Sequence, residues 1–429
     1  MAKFEIGSVT MKKYILVLLL LSFQLAAFAQ DTTQHIIPGR TNSATQQEKP
    51  YVILISADGF RYDYAEKYKA EHLLGLANEG VKAESMIPCF PSVTFPNHYS
   101  IVTGLYPSHQ GLVQNNFYDR DLKRFYSYKG KTASEATWYG GTPLWVLAEQ
   151  QQMVSASFYW VGSEADIKGI YPTYYYKYND KIPVHERIQT VVNWLNMPPA
   201  KRPHLITFYF PQVDHEGHKH GPDSREVENA VHFIDSSVYE LTKAVATTHL
   251  KVNYVFVSDH GMTTPDIEHT LSLPAAVDTS KFIVSGDGIL VELYAKNPDN
   301  IQKTYEDLKK VADGYDVYLR VNIPPRYHYA KSDDWHNRIG DIMLIPKWPK
   351  IFKLAKYNMD PGQHGYDPSV VKDMHATFYA WGPAFKSHTE ISAFPNVDIY
   401  PMITGILGLD YTEKIDGTKH LANEVLLKK

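Results

Sequence analysis

Three apolar runs that each end at an aspartate constrain this chain more than any other feature. Tyr51-Val-Ile-Leu-Ile-Ser56 leads into Ala57-Asp58-Gly59, Pro203 to Phe210 leads to Asp214, and Tyr254-Val-Phe-Val-Ser258 leads into Asp259-His260. Such β-branched and aromatic runs, with no polar alternation, read as strands buried on both faces. Helical patterns lie between and around them at 65–80, Pro143 to Gln152, Ile182 to Leu195 and Glu226 to Thr247. Alternating strands and helices predict an α/β fold with a central, mainly parallel sheet flanked by helices. Ligands of open α/β sheets bind beyond the carboxyl ends of the strands, where these aspartates fall. Shorter runs at Phe282 to Val284, Ile289 to Tyr294 and Asp341 to Pro346 predict a small additional sheet or cap region. With no internal repeat and no low-complexity tract, residues 50–429 read as a single domain.

The stretch Met86-Ile-Pro-Cys-Phe-Pro-Ser-Val-Thr-Phe-Pro-Asn-His-Tyr99 holds prolines at 88, 91 and 96. They stiffen the backbone and argue against a helix before Asn97. Thr94 then stands on a rigid loop near a helix start, where backbone N–H groups and the helix dipole favour a bound anion.

Hydrophobic residues make up 44% of the 429 and charged ones 21%, enough chain to bury a large core. The net charge of −4 gives no basic surface for a nucleic-acid scaffold. Met11-Lys-Lys, an apolar run from Tyr14 to Leu21 and Ala27-Phe-Ala29 have the order and lengths of a secretory signal peptide. Residues 1–29 are therefore expected to be removed, with Met11 as the start and 1–10 an upstream extension. The apolar stretch is too short to favour a membrane span. Residues 30–49 are polar and aperiodic and read as a linker. Cys89 is the only cysteine, so no intramolecular disulfide forms, which fits a bacterial envelope: a periplasmic or secreted protein.

Asp58, Asp214, His218, Asp259, His260 and His364 lie at strand ends or in loops. Three carboxylates and three imidazoles form a ligand set for two zinc ions (Zn2+), each with room for a further oxygen. Asp214 and His218, four apart, can share one metal from a turn or helix. Adjacent Asp259 and His260 can do so only from an irregular loop.

The segments Ala57-Asp58-Gly59-Phe60, Thr94-Phe-Pro-Asn-His-Tyr99, Asn115 to Asp119, Asp214 to Pro222, Ser258-Asp-His-Gly-Met262 and Gly362 to Asp367 carry a family likeness. From about Tyr51 to Phe385 the chain resembles the nucleotide pyrophosphatase/phosphodiesterases of the alkaline phosphatase superfamily. That resemblance implies an alkaline-phosphatase-like fold and a zinc phosphodiesterase. One zinc would be held by Asp214, His218 and His364, the other by Asp58, Asp259 and His260, with Thr94 beside it as nucleophile. Asn115 would donate to a non-bridging phosphoryl oxygen, and Phe95 and Tyr178 would sandwich a nucleobase. Trp160 and the tyrosines at 171–178 would stack on a base or cage a choline-like cation. Where some members place a lysine for a distal phosphate, this chain has Ala133. The expected partner is a small nucleotide or phosphodiester, acted on by a monomer.

Cys89-Phe-Pro-Ser92 begins like the segment from which sulfatases make formylglycine, but Val93 stands where arginine is required. A phosphomonoesterase would need extra positive charge for a dianionic ester, and no arginine follows Thr94 closely. A lipid-headgroup diesterase would use the same zinc core with a different pocket. A catalytically dead binding protein would not need all six ligands and the nucleophile.

Overall fold

The computed structural model describes residues 31–354 and 359–428, so the signal-peptide segment lies outside the described residues. Thirteen strands carry the architecture. In chain order they are β1 (His35–Ile36), β2 (Tyr51–Ala57), β3 (Val81–Ala83), β4 (Ser155–Phe158), β5 (Tyr174–Tyr176), β6 (Leu205–Phe210) and β7 (Val252–Val257). There follow β8 (Phe282–Gly286), β9 (Val291–Ala295), β10 (Tyr315–Leu319), β11 (Ile342–Pro346), β12 (Phe378–Trp381) and β13 (Thr389–Ile391).

Nine of these form the central sheet in the order β1-β5-β4-β6-β2-β7-β12-β3-β13. The run from β5 to β7 is parallel throughout, whereas β12 pairs antiparallel with both β7 and β3. The mainly parallel sheet read from the sequence thus has an antiparallel insertion at β12. Registers of Ala57 with Phe210 and of Ser56 with Val257 bring the ends of β6, β2 and β7 to one edge. The three aspartates follow within a few residues.

Alternation along β2 decides the layers. Val52 and Leu54 join a core that includes residues of helices Thr94–Thr103, Leu144–Gln150 and Ile399–Leu407. Ile53 and Ile55 face the opposite core, against helices Glu71–Glu79, Val184–Leu195 and Arg225–Ala246. All four side chains are fully buried, each worth roughly 1.5–3 kcal/mol of transfer free energy. The smaller sheet, in the order β8-β9-β11-β10, is antiparallel and has its own core.

Two local readings need correction. Residues 31–49 are not a linker, because β1 pairs antiparallel with β5 and His35 stacks on Tyr175 at 4.9 Å. Asn42 accepts from the Val154 N–H at 2.7 Å and donates to the carbonyls of Pro199 and Arg202 at 2.8 and 2.7 Å. A segment held by short main-chain pairing and by side-chain hydrogen bonds of this kind carries no hydrophobic period to read. The helix expected over 65–80 is two, Tyr64–Lys67 and Glu71–Glu79, with Lys69 between them at φ 54°.

Candidate active site

The Thr94 segment is helical three residues earlier than the prolines suggest. Helix Thr94–Thr103 starts at Thr94 itself, after an extended Val93, and Gly104 closes it at φ 68°. Pro96 is tolerated because N–H groups of the first turn have no intrahelical partner. Asn97 clamps the preceding loop. Its Nδ2 donates to the carbonyls of Pro91 and Val93, both at 2.9 Å, and its Oδ1 accepts from the Cys89 N–H at 2.7 Å.

Six expected ligands meet at the edge where β2, β6 and β7 end. Asp214 and His218 both stand on helix Gln212–His220, one turn apart. Asp214 Oδ1 lies 3.5 Å from His218 Nε2 and 3.6 Å from His364 Nε2, and the two Nε2 atoms are 3.0 Å apart. Beside them, His260 Nε2 is 3.0 Å from Asp259 Oδ2 and 3.5 Å from Asp58 Oδ1. The rings of His260 and His364 stack at 3.6 Å, so the two groups adjoin. Ligand atoms of Asp58, Asp259 and His260 lie within 4.8 Å of one another, as do those of Asp214, His260 and His364. His260 therefore stands between the two groups rather than in one alone.

Two observations fit this arrangement to bound metal. Asp58 Oδ1, Asp214 Oδ1 and Asp259 Oδ2 are buried without a hydrogen-bond partner, an expensive state for carboxylate oxygens. Each imidazole also spends its Nδ1–H on a carbonyl: His218 on Gly362 at 2.9 Å, His260 on Gly261 at 2.8 Å and His364 on Ser92 at 3.0 Å. Carbonyls only accept, so the lone pair of each neutral ring is left on Nε2, facing the carboxylates. Gly362 permits this closeness, since a Cβ there would stand 2.0 Å from the Gly217 carbonyl oxygen.

The electrostatics agree. Burial, then the Asp259 and Asp214 charges, raise the Asp58 carboxyl well above its usual range. Burial would raise Asp259 too, but His260 and His98 outweigh it and draw it down. Burial, then His260 and His218, push the His364 imidazole down. Like charges crowded away from water call for a multivalent cation.

Thr94 Oγ1 stands 3.2 Å from His260 Nε2 at the rim of this cluster. Asn115 Oδ1 accepts from the Phe95 N–H at 2.9 Å, so its Nδ2 remains as the amide's donor. Phe95 is half-buried against Tyr128 at 5.4 Å, and Tyr178 is 48% exposed beside Tyr209. Trp160 departs from expectation. It is buried, its indole N–H donates to the His98 carbonyl at 3.1 Å and its ring packs edge-on against His98. Trp160 thus packs against the Thr94 helix, with its ring and its indole N–H both engaged by His98. Cys89 is also buried, which pushes its thiol up to about 12.

Two supporting residues were missed. Tyr209 donates from its hydroxyl to Asp58 Oδ2 at 2.6 Å; its place at the end of an apolar strand was the available signal. His98 lies with Nδ1 3.2 Å from Asp259 Oδ2 and 3.1 Å from the Thr94 carbonyl, and with Nε2 2.8 Å from Ser56 Oγ. It is four residues from Thr94 on the same helix, a spacing that brings the two together.

Residues 52–367 match the model of the type I phosphodiesterase / nucleotide pyrophosphatase family. Ectonucleotide pyrophosphatase/phosphodiesterase family member 1 of Mus musculus is 34% identical over 380 residues, 84% of this chain and 41% of that protein. Venom phosphodiesterase CdcPDE of Crotalus durissus collilineatus is 32% identical over 402 residues, 90% of this chain and 48% of that protein. The chain thus spans less than half the length of these relatives. Murine ectonucleotide pyrophosphatase / phosphodiesterase 5 superposes with a TM-score of 0.81 at 26% identity, covering 87% of this chain and 100% of that one. An inactive threonine-to-alanine variant of that mouse protein, in complex with AMP, gives the same TM-score and identity over 88% of this chain and 100% of that one.

Proposed function

Because the chain belongs to the type I phosphodiesterase / nucleotide pyrophosphatase family, with its alkaline-phosphatase-like fold, we propose that it hydrolyses nucleotide phosphodiester or phosphoanhydride bonds to release a nucleoside monophosphate. The observation that carries this reading is Thr94 Oγ1 at a helix start, 3.2 Å from His260 Nε2 at the rim of the ligand cluster. Mixed carboxylate and imidazole donors suit zinc. Asp214, His218 and His364 would hold one ion, and Asp58, Asp259 and His260 the other. When bound, such a pair lowers the pKa of a neighbouring hydroxyl and stabilises the attacking and leaving oxygens of an in-line displacement.

The chain's own residues do the rest. Thr94 Oγ attacks phosphorus, and the bond to the leaving oxygen breaks as the Thr94 O–P bond forms. Water then hydrolyses the phosphothreonine and restores the hydroxyl. Asn115 Nδ2 donates to a non-bridging oxygen where negative charge builds. Asn115→Ala is expected to lower kcat by roughly 10²–10³-fold with little change in KM; steady-state kinetics showing a change confined to KM would remove it from this role. Phe95 and Tyr178 offer ring faces to the nucleobase.

Among the described residues no helix is long and apolar enough to cross a membrane. We place the mature protein outside the cytoplasm, in a periplasm or secreted, as a monomer acting on a small nucleotide. A substrate panel tests the assignment. The nitrophenyl ester of thymidine monophosphate should exceed nitrophenyl phosphate and nitrophenyl phosphorylcholine in kcat/KM by about tenfold or more, given roughly 1–3 kcal/mol per stacked base. Preference for the second would make the protein a phosphomonoesterase, and for the third a lipid-headgroup diesterase.

A further inference from the structure

A cavity of about 340 Å³ adjoins the candidate site and shares Tyr178 with it, but none of the six ligands, Thr94, Phe95 or Asn115 lines it. Its polar lining is Tyr159, Tyr178, Asp180, His185, Arg187 and Gln212. Arg187 is only 4% exposed, and its guanidinium carbon lies 4.4–5.2 Å from the ring centroids of Phe158, Tyr159, Phe208 and Phe210. Among the described residues no carboxylate comes within ion-pair distance of it. Nη2 donates to the Tyr209 carbonyl, whereas Nε is buried with no partner. Gln212 Oε1 is a second buried atom without a partner, in the same cavity.

A buried cation with no counter-charge is costly, and aromatic faces offset only part of that cost. Two unpartnered polar groups on one cavity wall, one of them cationic, match a ligand that is anionic and accepts hydrogen bonds. The Gln212 amide can present either end, since its oxygen and nitrogen are interchangeable by rotation. Asp180 at the exposed mouth opposes an anion, through solvent that screens it, and His185 favours one when protonated.

We propose that this cavity is a second anion subsite, in which Arg187 and the Gln212 amide bind a phosphate or carboxylate group. The group is either carried by the substrate, beyond its scissile phosphate, or free in solution. Tyr209 couples the subsite to the ligand cluster, its carbonyl holding Arg187 and its hydroxyl holding Asp58.

Calorimetric titration of inorganic phosphate into the metal-loaded chain, with and without saturating AMP, tests this. Two binding events are expected without AMP and one with it. Arg187→Met and Gln212→Leu should each weaken the AMP-insensitive event by about tenfold or more, the scale of one lost charge-assisted hydrogen bond, while AMP affinity is retained. Gln212 is partly exposed, so its variant carries the test should the Arg187 variant fail to fold. Absence of an AMP-insensitive event, or one that the folded variants leave unchanged, overturns the proposal. AMP bearing a second phosphate on its ribose 3′ oxygen separates the sources. Tighter binding than AMP, lost in the variants, assigns the group to the substrate; equal binding assigns it to a free anion. Phosphate events wholly insensitive to AMP would count against the nucleotide assignment and leave the subsite standing.

Discussion

Replacing Thr94 with alanine is expected to lower kcat on the order of 10⁴-fold or more, because removal of a covalent nucleophile removes the whole two-step route. The fold should be unaffected. Thr94 Oγ1 has one hydrogen-bond neighbour, His260 Nε2, and alanine serves as well at the first position of a helix. Metal content per chain should also be unchanged, since the six carboxylate and imidazole ligands remain. Thr94→Ser should restore much of the activity by returning a hydroxyl to the same place. Elemental analysis beside steady-state kinetics decides the matter. Wild-type turnover in an alanine variant that still binds metal would exclude Thr94 as nucleophile.

Removal of the metal should have the second largest effect, on activity and stability together. A chelator is expected to abolish turnover and lower Tm, and added zinc should reverse both. The physical ground is the three buried carboxylate oxygens that have no hydrogen-bond partner. Without a cation they sit close together away from water, and one of them, on Asp58, belongs to a carboxyl pushed well above its usual range. Binding to the folded state alone contributes about 2.7 kcal/mol at a metal concentration 100 times Kd. Thermal melts of metal-free and metal-restored protein read this directly. Full activity and an unchanged Tm after verified removal would exclude the metal assignment.

Much of the fold was legible because the strands nearest the site are buried on both faces. β2 and, from Tyr254 onward, β7 are continuous apolar runs, so their existence and the aspartates that follow them could be read without any structure. The antiparallel placing of β12 could not, since an apolar run does not state its direction. β1 was hidden for the opposite reason: it is two residues long and held by main-chain pairing. The helix start at Thr94 was misjudged because Pro96 was read as excluding helix, when it falls in a first turn that can spare its N–H.

The candidate site divides in the same way. Its ligand types and spacing lie in the chain, and a separation of four suggested that one turn or helix carries both Asp214 and His218, which helix Gln212–His220 does. His260 standing between both ligand groups did not follow, because stacking of His260 on His364 joins segments about a hundred residues apart. Trp160 was assigned to a ligand pocket because aromatics near a site invite that reading, and only the three-dimensional packing shows its ring committed to His98.

The three imidazoles are oriented by the carbonyls of Ser92, Gly261 and Gly362, and a carbonyl is the one group every residue type supplies. Aim is therefore stored mostly in the path of the chain, with residue identity decisive at Gly261 and Gly362, where a Cβ would meet a backbone carbonyl at 2.0 Å. Pocket walls such as Phe95 and Tyr178 can accumulate substitutions without turning the imidazoles. Divergence among such proteins should accordingly be sought in the walls, and swapping wall residues between relatives is a safer route to altered selectivity than any change near the histidines.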